Sequence, residues 1–394
     1  MRKLNSILAI TLLAVMAGCN GNKQKDNGND SFITVDVRKS YPKKELILQD
    51  FMDVEYIPLE TNNEFINQGI TQAIGKEMII VTNSISHGDI FIYDRNGKGV
   101  RKFNRMGQGP EEYISITGII LDEENGEIFV NDGAEIKRIR VYDLLGKFKR
   151  SIKHSEDILY DKVYNYENGH LICHHVDGAE SDYQTFSIIS KNDGSITKEI
   201  QIPIYKEKKS TTVKLVQQDG TFLLRLRLFY NSLVPYQNNW ILTEHSSDTI
   251  YRYLPNESML PFMVRVPSIQ SMSPEVFLFP GTLTDRYYFM QKFKKENVNE
   301  GYITTELVYD KKEKKIFEPI VYNGDYSDKK VSMMPSSMGR EIANNEVAFW
   351  RKIESYELVE AYEKGELKDG KLKEIATKLD AEDNPVIMLV KYKK

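Results

Sequence analysis

Hydrophobic residues between positions 103 and 151 fall into four short segments separated by polar turns. The first segment is almost entirely apolar and β-branched, as expected of a strand buried on both faces, whereas the third alternates apolar with basic residues, as a half-buried strand does. The four predicted strands are 113–121, 127–131, 136–143 and 147–152. Four antiparallel strands within about forty residues match the size of one β-propeller blade.

Similar groups of segments recur along the chain. Gly97, Gly146 and Gly194 each lie in a turn between two predicted strands, at intervals of 49 and 48 residues. A fixed interval of this kind indicates a repeat architecture. The other predicted blades cover 78–104, 160–203, 214–266, 285–322 and the region from 331 onward, and the fourth is expected to begin with the apolar segment 220–229.

The two ends of the chain are predicted to meet. Segment 54–60 (VEYIPLE) is interpreted as an outer strand, because Pro58 has no N–H to donate to a neighbouring strand on that side. Segment 386–392 is interpreted as the last strand. Pairing them would close a ring and remove exposed sheet edges. Apolar residues at helical spacing predict a helical insertion at about 356–380. We therefore predict an all-β, six-bladed β-propeller of four-stranded antiparallel blades.

The N-terminus predicts export and a lipid anchor. Arg2 and Lys3 precede the apolar run 7–17, which is too short to span a membrane, so residues 1–18 are predicted to be a signal peptide. Cys19 follows Ala-Gly directly and resembles the lipidated cysteine of a bacterial lipobox. The alternative is an ordinary signal peptide that contains a cysteine. A lipid on Cys19 would make a membrane the first partner of the chain.

Composition sets the remaining domain boundaries. Residues 19–31 are polar and rich in Gly and Asn, which predicts a flexible tether, and 32–394 would form the single propeller domain. With Cys19 lipidated, Cys173 has no partner for an internal disulfide. The chain carries 53 Lys and Arg against 57 Asp and Glu, a net charge of −4, so no nucleic-acid partner is predicted.

Segment 103–151 resembles an NHL repeat, which reads roughly G-x-G-x-G-x-F/Y, G-I-x-x-D, G-x-I-x-V-x-D and R-I-x-V-Y/F-D-x-x-G-K-F. The matching residues are Gly107, Gly109, Tyr113, Gly118, Ile119, Asp122, Gly126, Ile128, Val130, Asp132, Arg138, Ile139, Val141, Tyr142, Asp143, Gly146, Lys147 and Phe148. With the VEYIPLE start, the GQGPEEY loop and the DNPVIMLVKYK end, the chain resembles the six-bladed β-propeller lipoproteins of Bacteroidetes. That resemblance implies a cell-envelope lipoprotein, expected at the outer membrane, and supplies no catalytic residue or cofactor.

Residues 170–175 offer a weak candidate for a metal site. His170 and His174 would share one face of a strand, with Cys173 between them, but no carboxylate stands nearby at a motif spacing. The acidic run 122–124 lacks the Asp-x-Asp-x-Asp-Gly pattern of a calcium loop and is interpreted as a solvated turn. No metal and no cofactor are predicted.

The loop 104–113 is the best local candidate for a ligand site, because it joins the outer strand of one predicted blade to the inner strand of the next. Arg105, Gln108, Glu111 and Tyr113 would place a guanidinium, an amide, a carboxylate and an aromatic ring there, a set suited to a polar ligand. The alternative is that the two glycines and the proline of this loop shape a tight crossing, with Arg105 and Glu111 paired structurally.

Two functions remain open. The first is a binding or scaffold module in the envelope for a protein, peptide or glycan. The second is an envelope hydrolase or lyase acting on saccharides or peptides at the central channel. Converging carboxylates or a metal cluster at the channel would favour the enzyme, and an apolar lining with single polar groups would favour binding. We favour binding, since the sequence contains no Gly-x-Ser-x-Gly, Walker or His-Glu-x-x-His motif.

Overall fold

The computed structural model describes residues 32–393, apart from 85–86, 133–137, 155–159, 168, 176–185, 205–206, 217–221, 229, 296–301 and 335–345. The predicted signal peptide 1–18, the tether 19–31 and Cys19 lie outside the described residues. The chain begins with strands β1 (Ile33–Asp36), β2 (Lys43–Ile47) and β3 (Met52–Pro58), and a four-residue helix α1 (Leu48–Phe51) precedes β3.

The next twelve strands form three sheets of four. Blade one contains β4 (Ile70–Ile74), β5 (Met78–Thr82), β6 (Asp89–Asp94) and β7 (Gly99–Asn104). Blade two contains β8 (Ile116–Asp122), β9 (Glu127–Asp132), β10 (Arg138–Asp143) and β11 (Phe148–Lys153). Blade three contains β12 (Tyr160–Tyr166), β13 (His170–His175), β14 (Phe186–Ser190) and β15 (Ile196–Ile200). Each strand pairs antiparallel with the next one, so these blades are simple meanders.

The second half of the ring follows a hairpin of β16 (Thr212–Val216) and β17 (Phe222–Arg227). Blade four contains β18 (Leu233–Tyr236), β19 (Asn239–Leu242), β20 (Thr249–Tyr253) and β21 (Met259–Val266). Blade five contains β22 (Val276–Leu283), β23 (Tyr287–Lys295), β24 (Tyr302–Asp310) and β25 (Lys315–Tyr322). Blade six contains β26 (Val347–Ile353), β27 (Val386–Tyr392) and β3. The prediction of a six-bladed propeller is confirmed.

Neighbouring blades meet through their first strands: β4 contacts β8, β8 contacts β12, and β26 contacts both β22 and β4. The first strands therefore lie innermost. Apolar clusters fill the spaces between successive blades, as between blade one and blade two, where Ile80, Ile90, Tyr113 and Ile119 pack together. Stability thus depends on contacts between adjacent blades, as in other radially repeated folds.

Blade four differs from the prediction. The apolar segment that was expected to begin it supplies β17, which pairs with β16 and, as far as the structure describes the chain, with no strand of blade four. The inner strand is the shorter segment β18, joined to β19 by a tight turn. Gln237 and Asn238 form that turn with φ of 49° and 59°, a pair of left-handed residues that suits a two-residue hairpin. The predicted start of blade four was wrong because the apolar segment 220–229 is longer than β18 and gives a stronger strand pattern than the short β18–β19 hairpin.

The predicted closure of the ring is confirmed. β27 pairs antiparallel with β3, in a register from Met52 opposite Tyr392 to Pro58 opposite Val386. Asn384, just before β27, is buried and binds the chain that follows β3. The predicted helical insertion is also present, as α2 (Ser355–Glu363) and α3 (Lys371–Ala376), and both helices pack on the core between blades five and six.

The N-terminal strands cover the outside of two further blades. β1 pairs in parallel with β21, and β2 pairs in parallel with β25, so blades four and five have five strands each. The outer strands of blades one to three, β7, β11 and β15, end their sheets and carry Lys or Arg at the open edge. Charged edge strands resist further pairing, whereas β21 and β25 are protected by an added strand.

The three periodic glycines share one structural role. Each lies in the turn between the third and fourth strands of its blade, with φ of 83° at Gly97, 77° at Gly146 and 79° at Gly194. A Cβ at these positions would lie 2.0 Å from the Pro58 carbonyl oxygen, 2.6 Å from the Phe103 ring and 2.4 Å from an Ile152 methyl carbon, respectively. Glycine is therefore needed both for the backbone angle and for the approach of the preceding blade.

We expect Gly97→Ala to destabilise the propeller by about 3 kcal/mol, because the alanine meets a backbone oxygen at the ring closure as well as an unfavourable φ. Gly169→Ala is the matched control, because Gly169 has a φ of 76° but nothing lies within 4 Å of the added Cβ. Its unfolding free energy should fall by only about 1 kcal/mol. Urea denaturation measures both free energies of unfolding. Equal losses in the two variants would show that the close approach at Gly97 has no energetic weight.

Candidate functional site

The structure separates the four residues of the predicted ligand loop. Arg105, Gln108 and Glu111 are exposed, whereas Tyr113 is 0% exposed and packs in the core between blades one and two. The Tyr113 hydroxyl donates to the Gly88 carbonyl oxygen at 2.6 Å and accepts from the Arg105 backbone N–H at 3.0 Å. Burial raises the pKa of this phenol. Tyr113 is therefore a core residue, and its ring is not available to a ligand.

Hydrogen bonds from blade two hold the loop in place. Tyr142 Oη donates to the Glu111 carbonyl oxygen at 2.7 Å, and the buried Arg140 guanidinium donates to the Pro110 carbonyl oxygen. Arg105 Nε donates to the Gly146 carbonyl oxygen at 2.9 Å, and no Arg105–Glu111 ion pair forms among the described residues. The loop is a fixed crossing between blades, and a ligand role for Arg105, Gln108 and Glu111 stays a prediction.

A small cavity lies where the inner strands of blades three to six meet. Its volume is about 20 Å³, room for roughly one water molecule. The lining is largely apolar and includes Leu233, Val234, Leu283 and Phe349, with single polar groups such as the amide of Asn231. This part of the centre is filled by the side chains of the protein and does not admit a sugar ring or a peptide.

The histidine-rich strand β13 is packed into blade three. His174 and His175 are 3% and 4% exposed, with the His174 ring 5.2 Å from the Phe186 ring and His175 Nε2 2.7 Å from Ser187 Oγ. Cys173 is fully buried, and burial raises the pKa of its thiol. Within the described part of the chain, no group of three or more His, Cys, Asp or Glu side chains is placed to hold a metal ion.

A larger groove of about 490 Å³ lies between blade five and blade six, with α2 as one wall; we call it the α2 groove. This volume falls in the range of small-molecule binding sites. Its floor consists of buried residues, its second wall is the chain that follows β25, and its third wall is the end of β26. The lining residues are Asn323, Tyr326, Lys329, Lys330, Val331, Ser332, Arg351, Lys352, Ile353, Glu357, Glu360, Ala361, Lys364, Glu366 and Met388.

The floor of the α2 groove is fixed by a hydrogen-bond network with the N-terminal segment. Asn323, 2% exposed, accepts from Gln49 Nε2 at 2.7 Å and donates from Nδ2 to Tyr56 Oη at 2.9 Å. Tyr56 Oη donates to Asp325 Oδ2 at 2.7 Å, and burial raises the pKa of Tyr56. Such a satisfied buried network makes the turn after β25 rigid.

Helix α2 presents one face to the groove. Glu357, Glu360, Ala361 and Lys364 lie at i, i+3, i+4 and i+7, which places them on the same side of the helix. The insertion is tied to the opposite wall, since the Ser327 backbone N–H donates to the Glu366 carbonyl oxygen at 2.8 Å. The two walls are therefore linked, and the width of the groove is set by backbone contacts.

Some charges of both signs on these walls form no ion pair with the described part of the chain. Lys364 pairs with Glu360 and Lys352 with Glu354, each at 2.5 Å. Among the described residues, Lys329 and Lys330 have no carboxylate oxygen within 4.0 Å, and Glu357 and Glu366 have no cationic nitrogen within that distance. The groove therefore offers two ammonium groups on one wall and two carboxylates on and beyond α2.

The phenol of Tyr326 provides a polar group at the bottom of the groove. Tyr326 is 7% exposed, and the described residues offer its hydroxyl no hydrogen-bond partner. Burial, and then the nearby carboxylates of Glu357, Asp325 and Glu366, raise its pKa to about 12, so the hydroxyl is protonated and can donate. Sequence reasoning did not select this groove, although the helical spacing of the α2 face was visible.

A family model described as a 6-bladed beta-propeller matches residues 23–344 of the chain. The protein belongs to this 6-bladed beta-propeller family. The predicted resemblance is thereby confirmed at the level of the propeller. A crystal structure from Bacteroides fragilis, named "Putative exported protein", is 16% identical and superposes with a TM-score of 0.59 over 92% of this chain and 100% of that one. At this identity the likeness shows the fold alone.

Two further solved structures are less similar to the chain. Virginiamycin B lyase from Staphylococcus aureus has a TM-score of 0.34 and 13% identity over 65% of this chain and 73% of that one. BamB from Moraxella catarrhalis has a TM-score of 0.34 and 9% identity over 86% and 100%. These scores are too low to support any statement about this site. None of the curated proteins compared with the chain matches it significantly.

Within residues 32–393, gaps excepted, no helix has the length and apolar character to cross a membrane.

Proposed function

We propose that this propeller is a binding module of the bacterial cell envelope. A signal peptide at 1–18 would direct its export, and a lipid on Cys19, followed by the tether 19–31, would anchor it to the outer membrane. The lipobox-like sequence before Cys19 and the name of the Bacteroides fragilis neighbour support this location. Its partner, beyond the membrane itself, would be a protein, peptide or glycan.

The observation that carries the binding role is the α2 groove. It has a ligand-sized volume of about 490 Å³, a rigid hydrogen-bonded floor and charged groups that form no ion pair with the residues the structure describes. Preorganised walls with a few polar groups are what a binding site requires. The cavity at the inner strands, about 20 Å³, has no room for a sugar ring or a peptide, so a binding site at the α2 groove is better supported than a catalytic centre in this part of the channel.

Hydrogen–deuterium exchange of the full-length chain, extracted from membranes with detergent, tests this proposal. The probes are a tryptic digest of casein and a pool of glucose, galacturonate and N-acetylglucosamine oligosaccharides. We expect one pool to slow exchange of amides in 329–332 and in α2, because a bound ligand restrains both walls. Slower exchange confined to 104–113 would place the site at the crossing loop instead.

Mass spectrometry of the same pools after incubation tests the alternative function. A binding module returns every probe unchanged, whereas a hydrolase or lyase produces new masses. New products that require this protein would contradict the binding role. Unchanged exchange throughout the described residues in the presence of both pools would contradict the proposed groove.

A further inference from the structure

We propose that the α2 groove binds a short peptide with free ends, its carboxylate at Lys329 and Lys330 and its amino group at Glu357 and Glu366. This inference rests on the proposed binding function and assigns it a ligand class. It follows from which charges of the groove are already paired, from the buried phenol at its floor and from the apolar residues around that phenol.

The cationic wall has two ammonium groups to offer. Lys329 and Lys330 are exposed, and Lys329 Nζ lies 5.8 Å from the centre of the Tyr326 ring, above the floor. The other cations are engaged: Lys364 and Lys352 are in ion pairs, and Arg351 Nη1 donates to the Trp350 carbonyl oxygen at 3.0 Å. A ligand carboxylate would gain charge-assisted hydrogen bonds at Lys329 and Lys330.

The acidic groups make a purely anionic ligand unsuitable. Glu357 and Glu366 line the same groove, and among the described residues neither forms an ion pair; Lys364, which is near Glu366, is already paired with Glu360. A polyanion bound to the lysines would face these two carboxylates, and like charges at close range are unfavourable. A neutral oligosaccharide would leave all four charges uncompensated. A ligand with an amino group at one end and a carboxylate at the other satisfies both walls.

The floor favours a peptide between those two ends. The Tyr326 side chain is 7% exposed, and its hydroxyl, which has no hydrogen-bond partner among the described residues, can donate to a peptide carbonyl oxygen. Ala361 and Met388, 8% and 4% exposed, supply apolar surface beside it, which suits small side chains such as alanine methyls. Three or four such residues fit within about 490 Å³.

Isothermal titration of the full-length chain with tri-alanine tests the inference. Against the peptide with two free ends, we expect the N-acetylated form and the C-terminal amide each to bind about tenfold more weakly. In the Lys329→Gln/Lys330→Gln variant, the free acid and the amide should bind equally. In the Glu357→Gln/Glu366→Gln variant, the free and acetylated amino ends should bind equally.

The matched control is Asp369→Asn/Lys373→Gln, which removes an exposed ion pair of the same helical insertion outside the groove lining and should keep both preferences. A Tyr326→Phe variant should weaken all three peptides alike, since it removes only the hydroxyl. Tri-alanine that does not bind, or that binds equally well with blocked ends, overturns the inference.

Tri-galacturonate separates this inference from the proposed function. If it binds more tightly than tri-alanine and loses affinity only in the lysine variant, the groove is an anionic-glycan site, so the binding role stands and the peptide inference is wrong. If neither probe binds and the casein and oligosaccharide pools leave exchange at 329–332 and α2 unchanged, the proposed function fails together with the inference.

Discussion

Replacing Asn384 by Asp should cost the propeller about 4 kcal/mol of unfolding free energy. Asn384 is 3% exposed, and its Nδ2 donates to the carbonyl oxygens of Glu60, at 2.7 Å, and Phe65. Its Oδ1 accepts from the Asn67 backbone N–H at 2.9 Å. An aspartate keeps that acceptor but turns a buried carboxylate toward two carbonyl oxygens. The effect should be large because these bonds join the two ends of the chain beside the β3–β27 closure.

Asn256→Asp is the control for this substitution. Asn256 is exposed in the turn before β21 and uses its Oδ1 as an acceptor from Ser258, which an aspartate can replace. The unfolding free energy of Asn256→Asp should stay within about 0.5 kcal/mol of that of the natural protein. Urea denaturation gives both energies, and hydrogen exchange should show faster exchange in β3 and β27 of the Asn384 variant. Similar energies for the two variants would mean that Asn384 does not secure the closure.

The regular parts of this fold were predictable because their apolar periods are uninterrupted. β27 has the predicted bounds, and β5, β6 and β7 together span the predicted range 78–104. In blade one, β5 is followed by Asn83, β6 ends at Asp94 and β7 ends at Asn104, and such turn residues bond their own backbone or tolerate positive φ. Ring closure also followed from sequence, since Pro58 restricts its strand to an edge.

The N-terminal strands were not predictable in the same way. β1 and β2 are short and half-exposed, with burial confined to residues such as Val35 and Leu46. Their role depends on parallel pairing with β21 and β25, more than two hundred residues away. No local pattern specifies such a partner, because parallel pairing leaves no turn signal between the two strands.

The predicted site differed from the observed groove for a related reason. The crossing loop was selected because polar and aromatic residues are adjacent in sequence, but Tyr113 is used for packing between blades. The α2 groove joins 323–332, 351–353 and 357–366, and Gln49 and Tyr56 support its floor from the N-terminal segment. Only the folded ring brings these segments together. Strand β3, which carries Tyr56, thus serves both closure and site, and this links the stability of the ring to the shape of the groove.

The buried ion pair between blades two and three should be the second position of large effect. Lys191 Nζ lies 2.6 Å from Asp122 Oδ2, and the two side chains are 8% and 4% exposed. Burial alone would raise the pKa of Asp122, but hydrogen bonds from Lys191 and Asn125 bring that pKa below its usual value. We expect Lys191→Met to destabilise the protein by about 3–4 kcal/mol, because it leaves a buried carboxylate without its cation.

The pH dependence of this loss identifies its cause. In the natural protein the lowered pKa of Asp122 contributes stability above the unfolded-state pKa, and that contribution is lost as the pH falls through the folded-state value. In Lys191→Met, burial without the cation should raise the pKa of Asp122, so protonation relieves the destabilisation as the pH falls from neutral to mildly acid. Urea denaturation at neutral and at mildly acid pH should show that the unfolding free energy of the variant approaches that of the natural protein in acid.

The double variant Asp122→Asn/Lys191→Met completes the comparison. It removes both charges, keeps a side-chain oxygen near Asn125, and should lie within about 1 kcal/mol of the natural protein at neutral pH. The cost of the single variant would then come from an uncompensated charge, and not from lost packing of the lysine chain. If the double variant is as unstable as Lys191→Met, and the loss is the same at both pH values, the pair joins blades two and three through packing, and its charge contributes nothing.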